Sequence, residues 1–165
     1  MCIRDRFGRG QHFYFCNHEI DSDSLRSTGL SYNDIEDTIA NMPCNTIVFA
    51  DTCHSGAVRG TKSVRRDPWA DLVSDEVGGI LFASSIARDE SLELDEFKHG
   101  AFTRAVLDAF EQRKADINGD GFLGINELTY HIPERVKELT QGRQRSAHHV
   151  PSTIPNFNIA VSGKE

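Results

Sequence analysis

Ile47-Val48-Phe49-Ala50-Asp51-Thr52-Cys53-His54-Ser55-Gly56 decides how this chain is read. Four apolar residues bounded by a polar turn predict a buried strand over 47–50. Cys53 then stands just past the strand's C-terminal end, where open α/β sheets bind their ligands. Gly56 lets the backbone turn tightly away. A nucleophile needs such a perch, fixed by a rigid strand and open to substrate. A structural cysteine would sit in an apolar niche instead, and Asp51, His54 and Ser55 make a poor one.

Outward from this stretch, strand and helix patterns alternate. Residues 11–16 are a short aromatic strand candidate, and Asp21 to Gly29 reads as a polar loop. Ser31 is placed as an N-cap with Asp34 three residues on. Ile35 and Ile39 share one face of the helix that follows, which Pro43 ends. Beyond the cysteine turn, Val58 to Asp67 reads as an exposed basic loop carrying Arg59, Lys62, Arg65 and Arg66. Ile80-Leu81-Phe82-Ala83 predicts a second buried strand ending at Ser84-Ser85. Phe102, Ala105, Val106, Ala109 and Phe110 recur at helical spacing. Leu128, Ile132, Val136 and Leu139 mark one face of a further helix, bent by Pro133. Phe157 to Val161 is a candidate closing strand. The expected class is α/β, a mainly parallel sheet with helices on both faces.

The 165 residues suffice for one domain with a real core. Hydrophobic content of 38% and charged content of 26% fit a globular protein. A formal net charge of −7 argues against general binding of nucleic acid or acidic membranes. Cys2, Cys16, Cys44 and Cys53 show neither C-x-x-C nor zinc-ligand spacing, which argues against a disulfide framework and points to a reducing, cytoplasmic compartment. No stretch approaches the ~18 apolar residues of a membrane span. Met1 to Arg6 is neither a signal peptide nor a transit sequence. It reads as a spurious leader joined to the middle of a domain, so the N-terminal part of that domain is expected to be missing.

Asp51-Thr52-Cys53-His54-Ser55-Gly56 resembles the catalytic segment of caspase-like cysteine peptidases, in the metacaspase and bacterial branch. Phe13-Tyr14-Phe15 and Leu30-Ser31-Tyr32-Asn33-Asp34-Ile35 are similar to that family's strand and helix before the cysteine. Ala83-Ser84-Ser85 and Lys98-His99-Gly100-Ala101-Phe102-Thr103 are similar to its later strand and helix. The resemblance covers roughly residues 8 to 162. It implies a three-layer caspase-like sandwich and a cysteine endopeptidase acting on protein or peptide substrates through Cys53.

A free thiol with a pKa of ~8.5 is only slightly ionised at neutral pH. Cysteine peptidases add a histidine that accepts its proton and later protonates the leaving amine. In the family resembled, that histidine often lies in a Gly-His-Gly turn about 50 or more residues before the cysteine. Counted back from Cys53, the position falls at or before the first residue, and the sequence contains no Gly-His-Gly. His54 follows Cys53 directly and points the opposite way on an extended backbone. The resemblance places neither His12 nor His18 at the base position, and His99, just before a helix, reads as a packing or capping residue. The fragment is therefore expected to lack half of its dyad, along with the family's second oxyanion donor, the glycine after that histidine.

Asp51 lies two residues before Cys53 and faces the same side. The resemblance implies that it lines the subsite for the residue before the cleaved bond. A carboxylate there selects Arg or Lys by a charge-assisted hydrogen bond; the plainer alternative is an aspartate that ends a strand or binds turn amides. Ser84 and Ser85 border the same cleft in this reading. Arg65 and Arg66 lie where caspase-like zymogens are often cut, which suggests self-processing.

Asp116 to Glu127 matches D-x-[DN]-x-[DN]-G-x5-E at every specified position. Asp116, Asn118, Asp120, the Phe122 carbonyl and a bidentate Glu127 would supply oxygens to Ca2+, with Gly121 giving the sharp turn. Only one such loop is present, and Gly124 at position 9 would act through a water. Two other readings remain. Cys53 to Arg59 fits C-x-x-G-x-x-R, the phosphate loop of cysteine phosphatases, although Thr52 stands where those enzymes carry histidine. The other is a non-catalytic, calcium-stabilised pseudo-peptidase.

Overall fold

The computed structural model describes residues 2–7, 10–15, 19, 21, 23–51, 78–84, 100–111 and 113–162. Over these residues the chain is mixed α/β, with a small mixed sheet at its centre. β4 (Thr46–Ala50) and β5 (Gly79–Ala83) run parallel, pairing Ile47 with Ile80 and Ala50 with Ala83. β7 (Ala147–His149) joins the other edge of β5 antiparallel, Ala83 opposite Ala147 and Leu81 opposite His149. This edge strand corrects the expectation of a mainly parallel sheet, and its sequence Ala-His-His gives no alternating pattern to reveal it. β5 is the middle strand and every residue in it is buried. Gly-Ile-Leu-Phe-Ala is accordingly apolar throughout, as a strand covered on both faces must be. The expected burial of residues 47–50 holds only for Ala50, because Phe49 on the edge strand is 39% exposed.

Ile80 and Phe82 point to the face covered by α3 (Ala101–Glu111) and α4 (Ile125–Leu139). Phe102, Ala105, Ala109, Leu128, Ile132 and Val136 complete that core. The buried stripe of α3 also contains Asp108, 0% exposed, while Phe110 turns outward at 38%. Asp108 is tolerated there because Arg104 reaches it at 2.6 Å from the same helix and Arg135 at 2.7 Å from α4. The pair with Arg135 ties the two helices together. Apolar spacing cannot show this, since a carboxylate reads as a surface residue until its partners are known. α4 continues through Pro133, with Leu139 half-buried at its end.

Before the sheet, β1 (Cys2–Phe7) pairs antiparallel with β2 (Gly10–Phe15), and β2 with β3 (Leu30–Ser31). The segment set apart as a leader thus pairs, from Cys2 onward, with β2. The polar stretch 21–29 contains a short helix, α1 (Leu25–Thr28), rather than loop alone. α2 (Tyr32–Ala40) starts as expected, the Ser31 hydroxyl accepting from the Asp34 amide at 3.1 Å, and it stops short of Pro43 at an Asn41 cap. β8 (Asn158–Val161) pairs with β6 (Phe122–Gly124) and not with the central sheet. No helix among the described residues is long and apolar enough to cross a membrane.

Candidate functional site

The carboxyl ends of β4 and β5 lie side by side, held by the Ser84 amide donating to the Ala50 carbonyl at 2.9 Å. Asp51 follows β4 directly and is exposed. Its Oδ2 accepts the hydroxyl proton of Thr103, in the first turn of α3. The same oxygen lies over Gly100, where a Cβ would stand 3.2 Å from it. Asp51 is thus seated against the N-terminal end of α3, whose unsatisfied amides favour negative charge. Cys53, His54 and Ser85 lie outside the described residues, as do His18, His99, Arg59, Lys62, Arg65 and Arg66.

Ser84 occupies its expected place at the end of β5 but is 0% exposed. Its carbonyl accepts Gln144 Nε2 at 2.6 Å. Gln144 is buried too, and its amide donates to Thr140 Oγ1 at 3.1 Å; that hydroxyl in turn donates to the Val136 carbonyl at 2.8 Å. The chain after α4 is thereby fastened to the end of β5. Ser84 is thus buried where the end of β5 meets the chain after α4.

Three histidine side chains are described. His131 on α4 lines a cavity of about 280 Å3 with Lys114, Tyr130, Glu134, Arg135 and Glu138. Burial lowers its pKa, and Asp108 and Glu138 partly offset this while Arg135 adds to it. His148 is likewise lowered, first by burial and then by His149. His148 lies across from Phe82 at the sheet's edge, with ring centroids 6.1 Å apart. All three are anchored in the α4 and β7 framework.

The loop 116–127 is closed by its own side chains. Asp116 Oδ1 and Oδ2 accept the amides of Asp120 and Gly121 at 3.1 and 3.0 Å. Asp120 Oδ1 accepts the Phe122 amide at 2.8 Å, and Asn118 Oδ1 the Asp120 amide at 2.9 Å. Glu127 reaches across the loop, Oε1 taking the Ile117 amide at 2.8 Å and Oε2 the Gly124 amide at 2.8 Å. Gly119 and Gly121 adopt φ of 72° and 84°, which only glycine takes easily. Among the described residues, no three acidic, histidine or cysteine side chains converge as a metal-holding group.

Gly124 caps α4 without a side chain, and Asn156 supplies what it lacks. Asn156 Oδ1 accepts the Asn126 amide at 3.0 Å and lies 3.2 Å from where a Gly124 Cβ would stand. β8 pairs with the loop's strand residues and so covers the edge that a second hand would occupy in a paired EF-hand. Thr103, Gly100, Gln144 and Asn156 carry no motif that marks these roles. They emerge only once distant segments meet.

Comparison with known proteins gives no match, whether to a family model, a curated protein or a solved structure.

Proposed function

We propose that the chain is part of a caspase-like peptidase domain that cleaves peptide bonds after basic residues, with Cys53 as nucleophile and Asp51 reading the substrate's cation. The observation that supports this best is the place of Asp51: an exposed, fixed carboxylate at the carboxyl ends of two parallel strands, two residues before the cysteine. Ligands of open α/β sheets bind at such strand ends. A carboxylate there binds Arg or Lys by charge-assisted hydrogen bonds, each about twice as strong as a neutral one.

In the reaction the Cys53 thiolate attacks the scissile carbonyl carbon. The S–C bond forms, the C–N bond breaks, and the amine leaves with a proton from an imidazole that the rest of the domain, outside this chain, would supply. Water then hydrolyses the thioester. The Cys53 amide is the natural donor to the oxyanion.

The test uses peptidyl chloromethyl ketones, which alkylate a thiolate with loss of chloride and need no general base. At pH ~8.5 about half of an ordinary thiol is ionised. An arginyl reagent should label Cys53 faster than an aspartyl or norleucyl one. Asp51→Asn should remove about tenfold or more of that preference, the worth of one charged hydrogen bond. Equal rates for all three reagents would contradict the reading. Turnover of an aryl phosphate without labelling preference would favour the phosphatase alternative.

We also propose that the loop 116–127 binds Ca2+. Its donors are all oxygens, suited to a hard cation, and they already face inward to the loop amides. Bound ion would replace those amide contacts with Asp116, Asn118, Asp120, Glu127 and the Phe122 carbonyl. Added CaCl2 should raise the thermal midpoint, by about 2.7 kcal/mol of stability at a hundredfold excess over Kd. Glu127→Gln should abolish that increment, whatever it does to the calcium-free midpoint. No increment at millimolar calcium would refute the site. Calcium stabilisation without any labelling preference would favour the non-catalytic, pseudo-peptidase reading.

A further inference from the structure

Asp51 is a held carboxylate. Thr103 donates its hydroxyl proton to Oδ2, and Gly100 lies beneath the same oxygen, close enough that a Cβ would come within 3.2 Å of Oδ2 and 3.8 Å of Oδ1. Both contacts come from one place, the start of α3, and in both Oδ2 is the nearer oxygen. Branching at Cβ leaves a helical threonine two main χ1 rotamers, and the one adopted here aims the hydroxyl at Asp51.

The described cation beside Thr103 is directed elsewhere. Arg104 follows Thr103, yet its guanidinium turns to the buried Asp108 at 2.6 Å. Among the described residues, no lysine or arginine forms an ion pair with Asp51. The negative charge therefore stays uncancelled within this framework, and it faces solvent.

We infer that Thr103 is a positioning residue for substrate selection: its hydroxyl, with the bare Cα of Gly100, fixes the Asp51 carboxylate so that Oδ1 meets the cation of the residue before the cleaved bond. The inference rests on the peptidase reading above. Arg104 contributes indirectly, because Asp108 keeps it from competing for Asp51.

The experiment measures alkylation of Cys53 in the full chain by arginyl and norleucyl chloromethyl ketone peptides. Each rate is divided by the variant's own rate with iodoacetamide, so that changes in thiol reactivity cancel. Thr103→Val should lower the arginyl-to-norleucyl ratio about tenfold, as expected for one hydrogen bond to a charged group. Thr103→Ser keeps the donor and should restore most of the ratio. Gly100→Ala should lower it, because the new methyl displaces Oδ2. Circular dichroism and thermal midpoints show whether each variant folds; if Thr103→Val does not, Thr103→Ser and Gly100→Ala carry the comparison. If Asp51→Asn loses the ratio while Thr103→Val and Gly100→Ala keep it, the positioning role is overturned and the cation subsite stands. If wild type shows no preference for the arginyl reagent, the subsite and the positioning role fall together.

Discussion

Phe82→Ala should destabilise the protein by about 3–5 kcal/mol and lower the thermal midpoint by about 10 °C. Phe82 is fully buried in the middle strand of the sheet, with its ring stacked on Phe49 at a centroid distance of 5.3 Å. It belongs to the same core cluster as Phe102, Ala105 and Leu128, so it joins sheet to helices. Removing the ring leaves a cavity that strands on either side and two helices cannot easily close. Denaturant unfolding, read at constant m, measures the loss. Phe49→Ala is the natural comparison, since Phe49 lies on the edge strand and is partly exposed, so it should lose markedly less. A loss below about 1 kcal/mol for Phe82→Ala would mean that the ring is not packed as described.

Cys53→Ala should abolish the chain's selective alkylation, and in an active parent it should lower peptide turnover by on the order of a thousandfold or more. The expectation is large because the thiolate forms the bond on which every later step depends. No neighbouring group can take its place without forming the same acyl intermediate. The hydroxyl of Ser55 is a weak nucleophile unless a base activates it, and its neighbour His54 points the opposite way on an extended backbone. Thermal unfolding of Cys53→Ala alongside wild type separates loss of chemistry from loss of fold. If Cys53→Ala keeps full turnover, the nucleophile lies elsewhere.

Much of the core could be read from residue order alone. Ile80 to Ala83 is apolar without a break and is the buried middle strand; Leu128, Ile132 and Val136 form a helical stripe that packs inward. Ser31 and Asp34 mark the start of α2 because capping is a local interaction. What escaped the sequence depends on contacts between distant segments. β7 is three residues with no alternation, and it exists because β5 offers it an edge. Asp108 is buried because two arginines from different helices reach it. Ser84 reads as a surface residue at a strand end, yet it is buried and its carbonyl accepts from Gln144, 60 residues away. At the candidate site, the contacts of Asp51 with Thr103 and Gly100, about 50 residues away, carry no signal in the sequence. Those contacts follow from where the first turn of α3 comes to rest.

The chain carries its own control for the central claim. Cys44 is an exposed free cysteine outside the proposed site. Treating the protein with a limiting amount of an arginyl chloromethyl ketone peptide, then mapping the adduct by mass spectrometry, compares the two thiols in one sample. The peptidase account predicts an adduct on Cys53 with Cys44 largely unmodified, and a fall in that selectivity when Asp51 is changed to asparagine. An adduct on Cys44 equal to or exceeding that on Cys53, unaffected by Asp51→Asn, would contradict it.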